Sequence, residues 1–575
     1  MATIDTDNGA VKNWFPWLAL LVVWTFIIIV VNPSGEFMVN DDWAFVKSLE
    51  ALRATGKIIT TGWGPPGSPG GPSLLVHLLW GDLFCHLLGF SLTTLRLAVL
   101  TMGILGSFGL LLLFQTAGIS PWLALLGTLT VVANPLFLAE SFTYMTDITF
   151  ASLAIFALLG LFLGVKKSSL AWIIAGLVLT LGSILTRQIG VVILLAFMLT
   201  CWVHPAGAAL GRRKMLFLGL GLVLFPWILY EFLLAWGGSS PLTQHQVISN
   251  IFALPREKGF LGYLVFLYCD LFHNALVYLG FFISPLLLRG YVSSLRRRNF
   301  HFLLIVWMIL TALWEGAIVT ELIHPPVNFL GNVIFNFGIG PILLKDTYIL
   351  GIPRLGVISR GAYYLLVAWA VLAVLVILSR FIGYVRHRLR TGFPPEMPEN
   401  SFLVCLALLS VLFYLGIITL TSFHDRYLIP PIIFLVIWLV IDHSPGGQAA
   451  DADWKIIPGF VLVILMGLWS TCNVHDFMEM KRSLKKAHDY VLQEMRVNPC
   501  NLDGGFEFNG YYCYRNNFRP GAGLSWWWVT REDYLITLGP LPGYRVLRVF
   551  PFQRYCNPPG AIHLLQPLKP EPAPG

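Results

Sequence analysis

Residues 14–58, WFPWLALLVVWTFIIIVVNPSGEFMVNDDWAFVKSLEALRATGKI, decide how the rest of the chain is read. Their first part, Trp14–Val31, is an apolar run about as long as a membrane-crossing helix needs to be. No small-x-small cleavage site follows it, so the run reads as a retained first transmembrane helix rather than a signal peptide. Where the chain leaves the bilayer it carries two adjacent carboxylates, Asp41 and Asp42. Beyond them Phe45, Leu49 and Leu52 recur at helical spacing, with Lys47, Glu50 and Arg53 on other faces. Helix capping explains one carboxylate well: Asn40 or Asp41 as N-cap, Asp42 in the first turn. It explains the second only weakly. The functional reading is a general base held at the mouth of a membrane cavity.

Composition points the same way. The 575 residues are 56% hydrophobic and only 12% charged, with a mean hydropathy of +0.72. Soluble domains carry about 25% charged residues, so lipid is the main solvent for this surface. The net charge of +8 is no nucleic-acid signal, because the basic residues cluster in short loops between apolar runs. About thirteen such runs qualify as transmembrane helices: 14–32, 93–115, 120–138, 144–164, 170–186, 188–204, 215–236, 261–288, 301–322, 361–383, 401–420, 426–442 and 456–472. Ser73–Phe90, with His77, Asp82 and His86, reads as an amphipathic helix lying along the membrane surface. With a cytoplasmic N-terminus, the clusters Lys166-Lys167, Arg212–Lys214, Arg296–Arg298 and Arg386–Arg390 all fall on the cytoplasmic side, as the positive-inside rule requires.

The opposite face then collects the unusual polar residues. Glu140 and Asp147 stand seven apart in NPLFLAESFTYMTDITF. Glu140 reads equally as a solvated loop residue. Asp147 lies inside an apolar span, where a charge costs about 2.5–3.5 kcal/mol at the helix centre. Carboxylates of this kind suit a divalent cation such as Mg²⁺, Mn²⁺ or Ca²⁺, with Asp41 or Asp42 as further ligands, although no spacing demands one. Arg187 in LTRQIG is either a headgroup anchor or a phosphate ligand, for which its guanidinium fork is well shaped. SFHDRYLIPP places His424, Asp425 and Arg426 at the outer end of another span, where Asp425 and Arg426 could simply pair with each other.

After residue 472 the character changes. Residues 473–575 read as a small extracytoplasmic α/β cap on a transmembrane domain of residues 1–472, whose outer loop 33–92 carries surface helices. HDFMEMKRSLKKAHDYVLQEM is an amphipathic helix; GGFEFNGYYCY alternates in part; strands flank Leu541-Pro542-Gly543. Trp526-Trp527-Trp528 suit the headgroup layer or sugar stacking. Cys500 and Cys513 are the expected disulfide, in a compartment that permits oxidation. The chain holds no Walker loop, no GxSxG and no HExxH, and its cytoplasmic loops are too short for a nucleotide domain.

Four features together resemble the GT-C superfamily of polytopic glycosyltransferases, within it the protein-mannosyltransferase and aminoarabinose-transferase-like group. They are NDDWAFV after the first span, GPPGSPGGPSLLVHLLWGDLF leading to LTTLRLAVL, NPLFLAESFTYMTD, and LTRQIG. The resemblance covers roughly the first 200 residues; beyond them it is one of architecture. It implies an inverting transfer from a polyprenyl-phosphate sugar in the plasma (inner) membrane, to a hydroxyl of a glycan, lipid or protein, with no nucleic acid involved. Asp41 or Asp42 would be the base, Arg187 and Arg426 the donor-phosphate ligands, and Glu140, Asp147 and His424 substrate or metal contacts. One departure bears on the donor: where the mannosyltransferases usually carry a basic residue after the Pro-Pro-Leu turn, this chain has GPSLLVH. The rival classes are a polytopic transporter or lipid flippase, which predicts an internal repeat and mid-membrane charges, and a non-catalytic scaffold. Maleimide labelling tests the topology. Lys47→Cys is expected to add one mass shift in intact cells and Lys167→Cys only after permeabilisation; labelling of both from the same side would refute it.

Overall fold

The computed structural model describes residues 8–59, 73–207, 211–237, 259, 274–288, 300–309, 333–335, 338–352, 354, 360–392, 394, 398–421, 424–442, 454–515 and 518–568. Its helices are α1 (Asn8–Val31), α2 (Asp42–Thr55), α3 (Leu75–Leu88), α4 (Leu92–Thr116), α5 (Pro121–Val132), α6 (Pro135–Ser141), α7 (Thr146–Lys166), α8 (Leu170–Thr186), α9 (Val191–Val203), α10 (Arg212–Gly237), α11 (Asn274–Leu287), α12 (Phe300–Ile309), α13 (Arg360–Thr391), α14 (Asn400–Thr421), α15 (Ile429–Asp442), α16 (Ile457–Asp489) and α17 (Phe506–Cys513). Among the described residues, six helices are long and apolar enough to cross a membrane, the bent pair α5–α6 makes a seventh, and five more apolar helices are shorter. The chain is a multi-pass membrane protein. The Gly/Pro stretch before α3, the Arg296–Arg298 cluster and parts of the runs 261–288 and 301–322 lie outside the described residues.

The run expected at 120–138 is two helices, not one. Pro135 has no N–H to donate and its ring forces the preceding residue out of helical conformation. The chain bends by 65° there. Asn134 Oδ1 accepts from the Leu136 N–H at 2.9 Å and starts α6, while Ser470 Oγ on α16 donates to the freed Ala133 carbonyl at 2.8 Å. The bend turns Glu140 into the bundle, where it is buried. Nearby, α7 is buried along almost its whole length and packs on α4 and α8. The α7–α8 approach is close enough that a Cβ on Gly160 would lie 2.8 Å from the Gly176 Cα, the small-residue packing by which helices associate in lipid.

The segment between α1 and α2 has no helix or strand to satisfy its backbone. Arg96 of α4 does so instead. One terminal nitrogen donates to the Pro33 and Gly35 carbonyls at 2.6 and 3.1 Å, the other to Phe37 at 2.9 Å, and the guanidinium stacks 4.3 Å from the Phe37 ring. α2 then buries Phe45 and Leu49, as its spacing predicts, and ends on Gly56 at φ +69°. Surface helix α3 is inverted relative to a soluble amphipathic helix: His77, Leu78 and Cys85 face inward, while Leu79, Leu83, Leu87 and Leu88 are exposed. That suits a helix half-sunk in lipid.

Helix α16 runs without interruption from Ile457 to Asp489, through the expected domain boundary at residue 472. Against its far half stands a four-stranded sheet of β1 (Leu502–Asp503), β2 (Tyr534–Thr537), β3 (Tyr544–Phe552) and β4 (Gly560–Pro567), in the order β1-β2-β4-β3. β1 and β2 are parallel; the other pairs are antiparallel. Two sequence expectations change here. GGFEFNGYYCY contains helix α17, whose inward face of Phe506, Phe508, Asn509 and Cys513 is settled by tertiary burial rather than by local alternation. Trp527 and Trp528 meet neither headgroups nor an open sugar site, because they are buried with Trp43 of α2 and Phe506 in one aromatic cluster. The Cys500–Cys513 disulfide is present, with Cα atoms 5.6 Å apart.

Replacing Arg96→Met would take a donor from three backbone carbonyls, of which only that of Gly35 keeps another, the Thr93 hydroxyl. It is expected to lower stability by at least about 2 kcal/mol, read as a lower thermal midpoint in detergent.

Candidate active site

Asp41 and Asp42 point in different directions. Asp41 stands at the N-cap of α2 with φ −80° and ψ 0°, and its side chain makes no capping hydrogen bond. Its carboxylate, one-fifth exposed, accepts instead from Arg426 Nη2 at 2.9 Å. Asp42 turns inward, 3% exposed, and its Oδ1 accepts from the Val39 N–H at 2.8 Å. Burial pushes the Asp42 carboxyl well above the usual carboxylate range. The pair expected from the sequence therefore divides into one reachable acid and one that shapes the turn.

Arg426 lies in a short 3-10 turn, Asp425–Leu428, ahead of α15. Asp425 anchors that turn. Its carboxylate accepts from the Val333 and Ile334 N–H groups, the latter at 2.7 Å, and from the Arg426 N–H at 2.8 Å. The Arg426 side chain is thus free to reach both Asp41 and Asp147, whose Oδ2 is 3.9 Å from its Nε. The other oxygen of Asp147 meets Arg187 Nη1 at 2.5 Å, and Arg187 also donates to Thr146 Oγ1 at 3.3 Å. The result is a row of alternating charge, Asp41–Arg426–Asp147–Arg187, drawn from α2, the turn before α15, the first turn of α7 and the end of α8.

Glu140 at the end of α6 accepts from Thr143 Oγ1 at 3.2 Å, in the field of Asp147 and Arg426. His424 packs edge-on against Tyr427 at 5.1 Å. Burial, and then Arg426, lower its pKa to about 4, so the imidazole is neutral at pH 7. Tyr427 escaped the sequence reading. Its ring lies 4.8 Å from the Arg187 guanidinium and 5.6 Å from that of Arg426, giving both a π face. Its signal was its place beside three ionisable residues in HDRY.

The cluster sets two guanidiniums against two carboxylates and leaves polar atoms unused. Arg426 is buried, yet its Nη1 has no acceptor among the described residues, and one oxygen of Asp147 likewise has no hydrogen-bond donor there. Among the described residues no three His, Cys, Asp or Glu side chains group as metal ligands would. A cation placed between Asp41 and Asp147 would meet the Arg426 guanidinium.

No family model and no curated protein matches the chain. The solved structures that resemble it include two of one protein. One is ArnT from Cupriavidus metallidurans in the apo state, at 14% identity over 87% of this chain and 84% of that one, with a TM-score of 0.36. The other is the same protein bound to undecaprenyl phosphate, at 12% identity over 97% and 98%, with a TM-score of 0.46. Likeness at this level bears on neither residue roles nor chemistry.

Removing Asp147 (Asp147→Ala) leaves Arg187 without its carboxylate and Arg426 with one of two. The loss is expected to be about 3–5 kcal/mol by thermal unfolding, and partly recovered in the double variant with Arg187→Met.

Proposed function

We propose that the protein is an integral-membrane inverting glycosyltransferase of the GT-C type. It moves a sugar from a polyprenyl-phosphate donor to an acceptor hydroxyl at the extracytoplasmic face. The observation that carries this reading is a reachable carboxylate, Asp41, 2.9 Å from a buried arginine that has a further nitrogen without a partner among the described residues. A base and a phosphate ligand side by side are what transfer from a glycosyl phosphate needs.

Asp41 takes the proton of the acceptor hydroxyl as its oxygen attacks the anomeric carbon. The bond from that carbon to the phosphate oxygen breaks, and its electron pair leaves with the polyprenyl phosphate. Arg426 and Arg187 hold the anion as charge builds on it. Attack opposite the leaving group inverts the anomeric configuration. In the free protein Arg426 is shared between Asp41 and Asp147. An arriving phosphate competes for it and loosens its hold on Asp41. Glu140 and His424 are assigned to substrate contact. The donor is already activated, so no nucleotide enters.

Purified protein assayed with a panel of labelled undecaprenyl-phosphate sugars, and with glycan, lipid and protein acceptors, tests this. Asp41→Asn is expected to lose about 10²-fold or more in kcat and Arg426→Gln about 10²–10³-fold. Asp42→Asn should act chiefly on stability. Full transfer by Asp41→Asn removes the assigned base. Movement of lipid across a bilayer without a new glycosidic bond favours a flippase.

A further inference from the structure

Asn40, the residue before Asp41, has φ +56°, a conformation that needs holding in place. Its backbone N–H donates to Glu507 Oε1 at 3.1 Å, 467 residues away in sequence. That oxygen also meets Lys481 Nζ of α16 at 2.5 Å. Asn40, Glu507 and Lys481 are all more than nine-tenths buried. A buried ion pair contributes little to stability by itself; this one ends on a single backbone amide beside the reactive carboxylate. The other anchors of the turn, Arg96 on Phe37 and Asp42 on Val39, come from the membrane part of the chain and from the turn itself. Glu507 comes from α17, in the C-terminal region.

α17 is fixed at that reach. A Cβ on Gly510 would lie 2.5 Å from the Trp43 ring, so the two helices touch without a side chain between them. Tyr511 Oη donates to Glu50 at 2.7 Å. The disulfide ties the last residue of α17, Cys513, to Cys500.

We propose that Glu507 is a positioning residue for Asp41, acting through the Asn40 backbone, and that the Cys500–Cys513 bridge keeps α17 where Glu507 can reach. The C-terminal region then completes the active site instead of covering it. This rests on Asp41 being the base of the proposed transfer.

The test uses full-length protein in lipid nanodiscs. Glu507→Ala is expected to lower kcat at least about tenfold, with donor KM and binding of undecaprenyl phosphate changed by less than about twofold. Amide exchange over residues 37–46 should rise. Glu507→Gln, which keeps an acceptor oxygen, should recover most of the rate. The double variant Cys500→Ser, Cys513→Ser should repeat the Glu507→Ala pattern at a thermal midpoint still above the assay temperature; if it keeps wild-type kcat, the role given to the bridge is overturned. Unchanged kcat and exchange in Glu507→Ala overturn the role of Glu507, as does a loss that Gln does not recover and that follows weakened lipid binding. If the wild type transfers no sugar at all, the proposed function fails, and exchange alone decides: a rise over 37–46 supports the positioning contact, and no change overturns it.

Discussion

One guanidinium, that of Arg426, lies between two carboxylates brought from far apart in the chain, Asp41 on α2 and Asp147 on α7. An ion left alone in such a place costs several kcal/mol. Neither buried member, Arg426 or Asp147, could sit there without its partners. Together with Arg187 they make two positive and two negative groups, and the balance lets polar chemistry sit inside an apolar bundle. The surface segment, the first turn of α7 and the entry to α15 are therefore joined by charge as much as by packing.

A second constraint is the backbone itself. Irregular chain at membrane depth needs partners that lipid does not supply. Arg96 provides donors for Pro33, Gly35 and Phe37, Asp425 acceptors for Val333 and Ile334, and Ser470 a donor for Ala133. In each case a buried polar side chain serves main chain rather than another side chain. These groups hold irregular chain around the charged row, and the bend at Pro135 that turns Glu140 inward is one of the places they make possible.

The helical bundle was legible because long apolar runs leave few alternatives: α4, α8 and α14 begin and end within a residue of their expected bounds. The break before Pro135 was legible in the Asn-Pro dipeptide, but an apolar run long enough for one span masked it. At residue 472 a change from apolar to charged composition looks like a boundary, while helix propagation depends on backbone bonds and passes through it. The candidate site residues stood out as charges out of place in an apolar sequence. Which of the two acids faces Arg426 was not, since it depends on the left-handed Asn40 and on contacts made by α16 and α17. Tyr427 and the burial of Trp527 and Trp528 were hidden for the same reason. An aromatic residue shows its role only through its neighbours.

Helix α16 has 33 residues and so extends about 50 Å. Its early part exposes Val461, Ile464 and Leu468, and its later part holds the sheet through Asp476, which accepts from the Cys556 N–H, and Ser483, which donates to the Phe550 carbonyl. A single stiff rod rooted in the bilayer sets the standoff between membrane and sheet, as a strut sets the height of a shelf. The distance from its apolar end to the sheet is then a property of the folded chain, because one continuous helix spans it.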